Sequence, residues 1–248
     1  MSASAAATGG AGQAAKGGKV VAIVQARLGS SRLPLKSLLT LRGLPIIDWV
    51  TQRLARSRRL DGLMVAVPDT ELDRVLYEHL ARRGVPVMAG PEQDVLARFA
   101  QAAKQADAGL VVRVCADNPC IWGEAVDRLV EFYRKGGCDY AYNHIPRGNL
   151  WPDGLGAEIL SRELLDELDT RAKLPSQREH CLNYIWDNAG SYRLATFDPE
   201  EPWLRRPDLK LDVDSVEDFR RLALLPLAPD MDAAQIIAAC DGGTDAGA

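Results

Sequence analysis

The chain has 248 residues, of which 47% are hydrophobic and 26% are charged. This is the composition of a water-soluble globular protein, with enough residues for one α/β domain or two smaller ones. The net charge of −4 provides no general attraction for nucleic acid or for an anionic membrane surface. No run of residues approaches the roughly 18 apolar residues of a membrane helix. We therefore expect neither nucleic acid nor a membrane as a partner.

Residues 1–18 consist mostly of Ala, Gly and Ser. A secretory signal needs an apolar stretch of roughly 7–15 residues, and this segment has none, so it is predicted to form a disordered tail. The five cysteines are an odd number without paired spacing, which favours reduced thiols. We therefore predict a cytoplasmic protein.

A short apolar run rich in β-branched residues begins at Val20 and predicts a buried parallel strand. It leads directly into a loop that carries three cations, two hydroxyls and a glycine. At the carboxyl end of an α/β strand, this set suits a polyanion such as a triphosphate. The alternative is a polar surface loop with solvated cations. The loop has neither the Gly-Lys-Ser/Thr triplet of a P-loop nor Gly-x-Gly-x-x-Gly. The cations, hydroxyls and glycine of this loop are Arg27, Gly29, Ser30, Ser31, Arg32 and Lys36.

Strands and helices then alternate, which predicts a mainly parallel sheet with helices on both faces. The predicted strands are Gly62–Val67, Val85–Met88 and Leu110–Cys115. The predicted helices are Pro45–Ser57, a helix capped by Thr70 that ends near Arg83, Gln93–Gln105 and Gly123–Lys135.

From Asp139 onward the pattern is mixed, and the later part of such a core commonly serves a second substrate. The predicted strands are Tyr140–Asn143, Ala157–Leu160, Ser191–Thr196 and Leu209–Val213. The predicted helices are Ser161–Arg171, Ser176–Asn188, Ser215–Leu225 and Met231–Cys240.

Two aspartates follow predicted strands. Asp117 comes directly after an apolar strand, where a carboxylate would face a ligand edge. Asp, Asn and Pro are also ordinary turn formers, so a structural turn is the alternative there. Asp214 precedes a predicted helix, and it is either a helix N-cap or a metal ligand.

The first loop resembles the signature Ala-Arg-x-Gly-Ser-x-Arg-Leu-Pro-x-Lys of cytidylyltransferases that activate sugars. The nearest branch is the one named for spore-coat polysaccharide biosynthesis, related to acylneuraminate and ketodeoxyoctonate cytidylyltransferases. Leu35 departs from the signature, because the family usually has glycine there, and a leucine could stiffen or partly block the loop. The matching residues are Ala26, Arg27, Gly29, Ser30, Arg32, Leu33, Pro34 and Lys36.

Two later segments also resemble this family. Arg113, Ala116, Asp117 and Pro119 match Arg-x-x-Ala-Asp-x-Pro, and the segment 213–219 resembles Val-Asp-Thr-Pro-Glu-Asp-Leu. The resemblance implies a Rossmann-like nucleotide-diphospho-sugar transferase fold, with Mg²⁺ held by Asp117 and Asp214. Trp122 replaces a common acidic residue and is expected to alter the acceptor pocket or a dimer contact.

The resemblance also implies a set of site residues. Arg27, Lys36 and Asp117 would be catalytic. The acceptor would contact Asn143, Asp153, Glu158, Arg178 and His180. The nucleotide would contact Gln25, Ala26, Arg27, Gly29, Ser30, Ser31, Arg32, Lys36, Val67, Asp69, Gly90, Asp94, Arg98 and Ala116.

Structural alternatives remain for some of these residues. Asp94 and Arg98 have the i, i+4 spacing of a surface ion pair on a helix. An isolated histidine such as His180 is more often a hydrogen-bonding structural group than a catalyst.

The activity implied is Mg²⁺-dependent transfer of CMP from CTP to a sugar acid or phosphorylated acceptor, with release of pyrophosphate, for a cell-surface polysaccharide or glycan. One domain would span residues 19–225, with a nucleotide part (19–138) and a part for the acceptor and homodimerisation (139–225). Residues 226–248 would form a C-terminal helix and tail. The alternatives are another NTP, a non-sugar phosphate or phosphonate acceptor, or a non-catalytic nucleotide-binding subunit.

Overall fold

The computed structural model describes residues 18–242. Within this range a seven-stranded sheet has the order β5-β4-β1-β6-β8-β7-β9, and β2 and β3 form a separate hairpin. The predicted tail, apart from Gly18, lies outside the described residues, as does the end of the chain from residue 243. The strands are β1 (Val20–Gln25), β2 (Thr40–Leu41), β3 (Leu44–Pro45), β4 (Gly62–Pro68), β5 (Val87–Gly90), β6 (Leu110–Cys115), β7 (Tyr140–Tyr142), β8 (Glu158–Ser161) and β9 (Leu194–Ala195).

The parallel part of the sheet is built from β5, β4, β1 and β6. β1 lies in its middle, and residues 20–24 are at most 1% exposed. A strand covered on both faces needs a continuous apolar run, which is the pattern that predicted it. The carboxyl ends of β1 and β6 are paired, since Gln25 aligns with Cys115. Loops that leave these two strands therefore begin side by side.

The remaining strands make the sheet mixed, as predicted. β8 pairs antiparallel with β6 and with β7, and β9 pairs parallel with β7. The predicted strand Leu209–Val213 is wrong, because this segment makes a single bridge, between Lys210 and Asp153. The predicted strand Ser191–Thr196 shrinks to the two residues of β9.

The helices cover both faces of the sheet. The prediction of one helix over Ser176–Asn188 is wrong: two short helices stand there, separated at His180–Leu182. His180 has φ = −105° and ψ = 81°, outside the helical range, so the chain does not continue from α6 into α7 as one helix. The helices are α1 (Ile46–Leu54), α2 (Glu71–Arg82), α3 (Val95–Gln105), α4 (Gly123–Lys135), α5 (Arg162–Arg171), α6 (Pro175–Glu179), α7 (Asn183–Asp187), α8 (Val216–Leu224) and α9 (Ala233–Gly242).

Three apolar clusters hold the layers together. The first packs α1, α2 and α4 on one face of the sheet, and the second packs α3, α5 and α7 on the other. The third joins the β2–β3 hairpin to α8 and α9, with Trp49 and Trp151 at its centre. Ile236 and Ile237 of α9 are at most 5% exposed. The C-terminal helix is therefore packed onto the body of the domain.

The described residues contain no disulfide, and all five cysteines are free. In the same part of the chain, no helix is both long and apolar enough to cross a membrane.

Candidate functional site

The loop after β1 is held in shape by main-chain contacts and by one buried carboxylate. The amide of Leu28 donates to Oδ1 of Asp73 over 2.7 Å, and Asp73 is 3% exposed. The amide of Leu35 donates back to the carbonyl of Leu28 over 3.0 Å. Ser37 closes the loop by donating to the carbonyl of Arg27. The loop is therefore a fixed feature that presents its outer side chains at the sheet edge.

Leu35 adopts a left-handed conformation, with φ = 61° and ψ = 15°. Side chains other than glycine are disfavoured there, because the Cβ atom approaches the backbone carbonyl. This explains why glycine is usual at this position in the sequences that the loop resembles. The Leu35 side chain is 46% exposed. It immediately precedes the short 3₁₀ helix that begins with Lys36.

Lys36 connects the two aspartates that follow predicted strands. Its Nζ lies 2.6 Å from Oδ2 of Asp117 and 3.6 Å from Oδ1 of Asp214. It also donates to the carbonyl of Val213 over 3.2 Å. Arg32 reaches the same aspartate, with Nη2 2.9 Å from Oδ1 of Asp214. Two carboxylates and two loop cations thus lie close together.

The convergence has a local cause in the backbone. The amide of Val213 donates to the carbonyl of Asp117 over 2.8 Å, which fixes the two segments against each other. The N-cap of α8 is Ser215, whose hydroxyl accepts from the amide of Asp218. The N-cap interpretation of Asp214 is therefore wrong, and its carboxylate is left to face the loop cations.

Two further carboxylates lie beside this pair. Burial, followed by the charge of Asp212, raises the pKa of Asp153 to about 7. Burial also raises the pKa of Asp212, with Asp214 and Asp117 contributing. Oδ1 of Asp212 is buried and has no hydrogen-bond partner within the described residues. The region is therefore rich in negative potential and in oxygen atoms.

The remaining predicted nucleotide residues lie around the same sheet edge. Gln25 is the last residue of β1 and Ala26 follows it, and the Ala116 amide donates to the carbonyl of Gln25. Asp69 is exposed after β4, and its amide donates to the carbonyl of Gly90 at the end of β5 over 2.7 Å. Gly90 is closely approached, because an added Cβ would lie 3.1 Å from Cγ of Arg98. Gly29 and Ser31 of the loop are exposed, whereas Ser30 is half-buried and its hydroxyl accepts from the amide of Leu33.

The comparisons with known proteins agree with this geometry. A family model described as cytidylyltransferase matches residues 21–220. This chain belongs to the cytidylyltransferase family. The enzyme class implied by the sequence resemblance is therefore confirmed.

Individual relatives support the same branch. The spore coat polysaccharide biosynthesis protein SpsF of Bacillus subtilis is 30% identical, covering 92% of this chain and 96% of that protein. A 3-deoxy-manno-octulosonate cytidylyltransferase of Anaeromyxobacter sp. is 33% identical over 50% of each chain. A solved structure of a cytidylyltransferase from Leptospira borgpetersenii has a TM-score of 0.82 at 26% identity, covering 92% of this chain and 96% of that chain. The predicted Rossmann-like fold is thereby confirmed.

In this cytidylyltransferase, Asp94 and Arg98 do not pair with each other on a surface. Asp94 caps α3 by accepting from the Ala97 amide, and it also pairs with Arg178 over 2.6 Å. Arg98 is 1% exposed and donates to the carbonyls of Pro91 and Glu92. The surface-pair alternative is therefore wrong, and Arg98 supports the loop after Gly90 from beneath.

The predicted acceptor residues differ in how available they are. Asn143 is fully buried, donates to the carbonyl of Ala125 and accepts from the amide of Ala157. Arg178 is engaged by Asp94 and by Asp169, 2.7 Å away. Both side chains thus make contacts within the protein. His180, by contrast, is exposed at the end of α6.

Glu158 belongs to a buried hydrogen-bonded group that sequence reasoning missed. Its carboxylate accepts from Arg113 and from the hydroxyl of Tyr140, and it lies 3.9 Å from Nε2 of His144. Burial is the largest influence and opposes ionisation, but Arg113, His144 and Tyr140 together outweigh it and lower the pKa of Glu158. Arg113 and Glu158 are register partners of β6 and β8. Only this strand pairing, which no local pattern specifies, brings them together.

The donor set at Asp117 and Asp214 fits a hard divalent cation. Mg²⁺ prefers oxygen ligands and is usually bound through one or two carboxylates together with substrate phosphates and water. Here two carboxylates face one point, and Oδ1 of Asp212, which accepts no hydrogen bond but lies 3.4 Å from Nζ of Lys210, is in the same acidic region. Asp117 and Asp214 are therefore the residues that would hold such an ion.

Proposed function

We propose that this enzyme transfers CMP from CTP to a sugar acid or a phosphorylated acceptor, with Mg²⁺ as its cofactor. An acceptor oxygen attacks the α-phosphorus of CTP, and the bond from that phosphorus to the bridging oxygen breaks, releasing pyrophosphate. The observation that carries the proposal is the convergence of Asp117 and Asp214 on Lys36, beside the loop that follows β1. The family and the name of its Bacillus subtilis relative favour a product for a cell-surface polysaccharide.

The loop cations are suited to the β- and γ-phosphates. Arg27 is exposed, and the side chain of Arg32 is 67% exposed, so both can reach a ligand without unfolding the loop. Guanidinium groups bind phosphate oxygens in a bidentate manner. Together with Lys36 they would stabilise the negative charge that develops on departing pyrophosphate.

The ends of β4 and β5 are proposed to hold the base and ribose. Asp69 and Gly90 are tied together by a backbone hydrogen bond. Arg98 fixes the carbonyls of the loop that follows. A site built on fixed backbone groups positions a base more precisely than long side chains can. Val67, buried at the end of β4, would form the floor of this part of the pocket.

A bound divalent cation would orient the α-phosphate and neutralise its charge during in-line attack. Asp117 and Asp214 would hold it, and no protein nucleophile is needed. An acceptor that already carries a phosphate or carboxylate needs little help in losing a proton. Among the predicted acceptor residues, Asp153 lies in the acidic region beside Asp117, and His180 is exposed.

We also propose that the enzyme is a cytoplasmic homodimer. A nucleoside triphosphate substrate and five free cysteines suit a reducing compartment.

The test is a pyrophosphate-release screen with the four nucleoside triphosphates and a panel of sugar acids, sugar phosphates and phosphonates. We expect release to require CTP, Mg²⁺ and one acceptor class. Release with another nucleotide alone would overturn the assignment of CTP. Tight CTP binding without release across the whole panel would instead indicate a non-catalytic nucleotide-binding subunit.

A further inference from the structure

The two aspartates proposed to hold the metal are already neutralised by the protein. Asp117 pairs with Lys36 over 2.6 Å, and Asp214 pairs with Arg32 over 2.9 Å and with Lys36 over 3.6 Å. Two negative side chains thus face two positive ones. The charges of these four side chains sum to zero, so together they present no net negative charge to a free divalent cation.

The Lys36 ammonium also lies beside the carboxylate oxygens that would bind the metal ion. It donates to Oδ2 of Asp117 and to the carbonyl of Val213, and it lies 3.6 Å from Oδ1 of Asp214. A divalent cation requires oxygen ligands of the same kind, and it repels an ammonium a few ångströms away. The Lys36 side chain is only 14% exposed, so this repulsion is weakly screened by water. Ammonium and metal are therefore alternative partners for the same carboxylates.

We infer that Lys36 and Arg32 keep divalent cations out of the nucleotide-free site, and that the metal enters only together with the nucleotide. The triphosphate offers Lys36 and Arg32 new anionic partners, which frees Asp117 and Asp214. This inference rests on the proposed function of the site.

The experiment measures Mn²⁺ binding to the full-length, nucleotide-free protein by electron paramagnetic resonance, with Mn²⁺ as the probe. We expect the wild type to bind Mn²⁺ weakly, without saturation in the low millimolar range. Lys36→Met should bind Mn²⁺ at least about tenfold more tightly, because the competing charge is removed. The gain should disappear in Lys36→Met combined with Asp117→Asn.

Lys210→Met is the matched control. Lys210 lies 3.4 Å from Asp212 and 2.8 Å from Asp218. Its substitution therefore removes a positive charge from the same acidic region, and neither of the two proposed ligands loses an ion-pair partner. We expect the Mn²⁺ affinity of Lys210→Met to differ from that of the wild type by less than about threefold, since a charge that is not in contact with the proposed ligands is screened. Arg32→Gln is the second variant if Lys36→Met does not fold. Arg32 is exposed, so that substitution should keep the fold and give a smaller gain.

Three results would overturn the inference: tight Mn²⁺ binding by the nucleotide-free wild type, no gain in either loop variant, or a gain equalled by Lys210→Met. The proposed function is tested separately by pyrophosphate release. If the wild type released no pyrophosphate but Lys36→Met still gained Mn²⁺ affinity at Asp117, the proposed function would fail and the competition between ammonium and metal would stand.

Discussion

The part proposed to bind the nucleotide and the part proposed to bind the acceptor differ in how some of their polar residues are used. At the nucleotide edge, Arg27 and Arg32 project outward from a loop whose shape is held by other groups, such as Asp73. On the acceptor side, Asn143 and Glu158 are at most 4% exposed and bond to the protein itself. All four residues match the same family patterns. A match to a family motif therefore does not distinguish residues that bind a substrate from residues that stabilise the fold.

The difference follows from how each part is built. In the nucleotide part, parallel strands end at one edge, and the loops that leave them are free to present side chains to a ligand. In the acceptor part, short antiparallel strands and irregular segments must satisfy their backbone groups with side chains. Asn143 does this for two backbone groups at once. We expect mutations in the first part to affect turnover and mutations in the second to affect stability.

The largest effect is expected from Asp117→Asn. It removes a carboxylate charge that contacts Lys36 but keeps the side-chain shape, and the backbone bond from Val213 is unaffected. We expect pyrophosphate release to fall by about a thousandfold or more, because the cation that neutralises the reacting phosphate would lose one of its two proposed carboxylate ligands. The melting temperature is the control. Full activity with an unchanged melting temperature would contradict the proposed role.

Asn143→Ala tests the acceptor side. It leaves the amide of Ala157 and the carbonyl of Ala125 buried without their partner. We expect the free energy of unfolding, measured with urea, to fall by about 2–4 kcal/mol. The matched variant is Arg27→Met at the nucleotide edge, which should change stability by less than about 0.5 kcal/mol and raise the KM for CTP. The reverse pattern would break the contrast between the two parts.

Asp153→Asn tests the pH dependence of stability. Burial and then Asp212 raise the pKa of Asp153 to about 7 in the folded protein, against about 3.9 in an unfolded chain. The folded state therefore binds more protons, and stability from this group is present below about pH 4 and lost as the pH rises to about 7. Between pH 5 and pH 8, the free energy of unfolding should fall by about 1 kcal/mol less in Asp153→Asn than in the wild type. This figure allows for the partial exposure of Asp153. Urea unfolding at pH 5 and pH 8, without divalent cations, measures it; equal pH slopes would contradict it.

The smallest effect is expected from Leu35→Gly. Glycine removes the strain of the left-handed backbone at φ = 61°, which stabilises the folded state. It also raises the entropy of the unfolded chain, which opposes this gain, so the net stabilisation should be about 0.5–1 kcal/mol. Arg42 is the matched control, because it also has a positive φ of 49° and lies in the β2–β3 turn away from the aspartates. We expect Arg42→Gly to stabilise to a similar extent without changing turnover. A loss of stability in Leu35→Gly would show that the leucine side chain, and not its backbone, decides this position.

Local patterns predicted most of residues 19–138 well, although β5 begins at Val87, two residues after its predicted start. Each strand from β1 to β6 in the parallel sheet is a short apolar run, and α2 begins at the predicted cap Thr70. The β2–β3 hairpin was missed because each strand has two residues, too few to show alternation. The break at His180 was missed because the non-helical backbone of this residue leaves no mark on the apolar periodicity of the segment.

The sequence by itself determined the parallel α/β core, the cationic loop and the family, because these depend on local apolar periodicity and on residues close together in the chain. Only the tertiary structure decided that Asp214 faces Lys36 while Ser215 caps α8, and that Glu158 pairs with Arg113. Those choices depend on backbone bonds between distant segments, such as Val213 to Asp117. A residue's neighbours across a sheet are set by register, and register is a property of the folded whole.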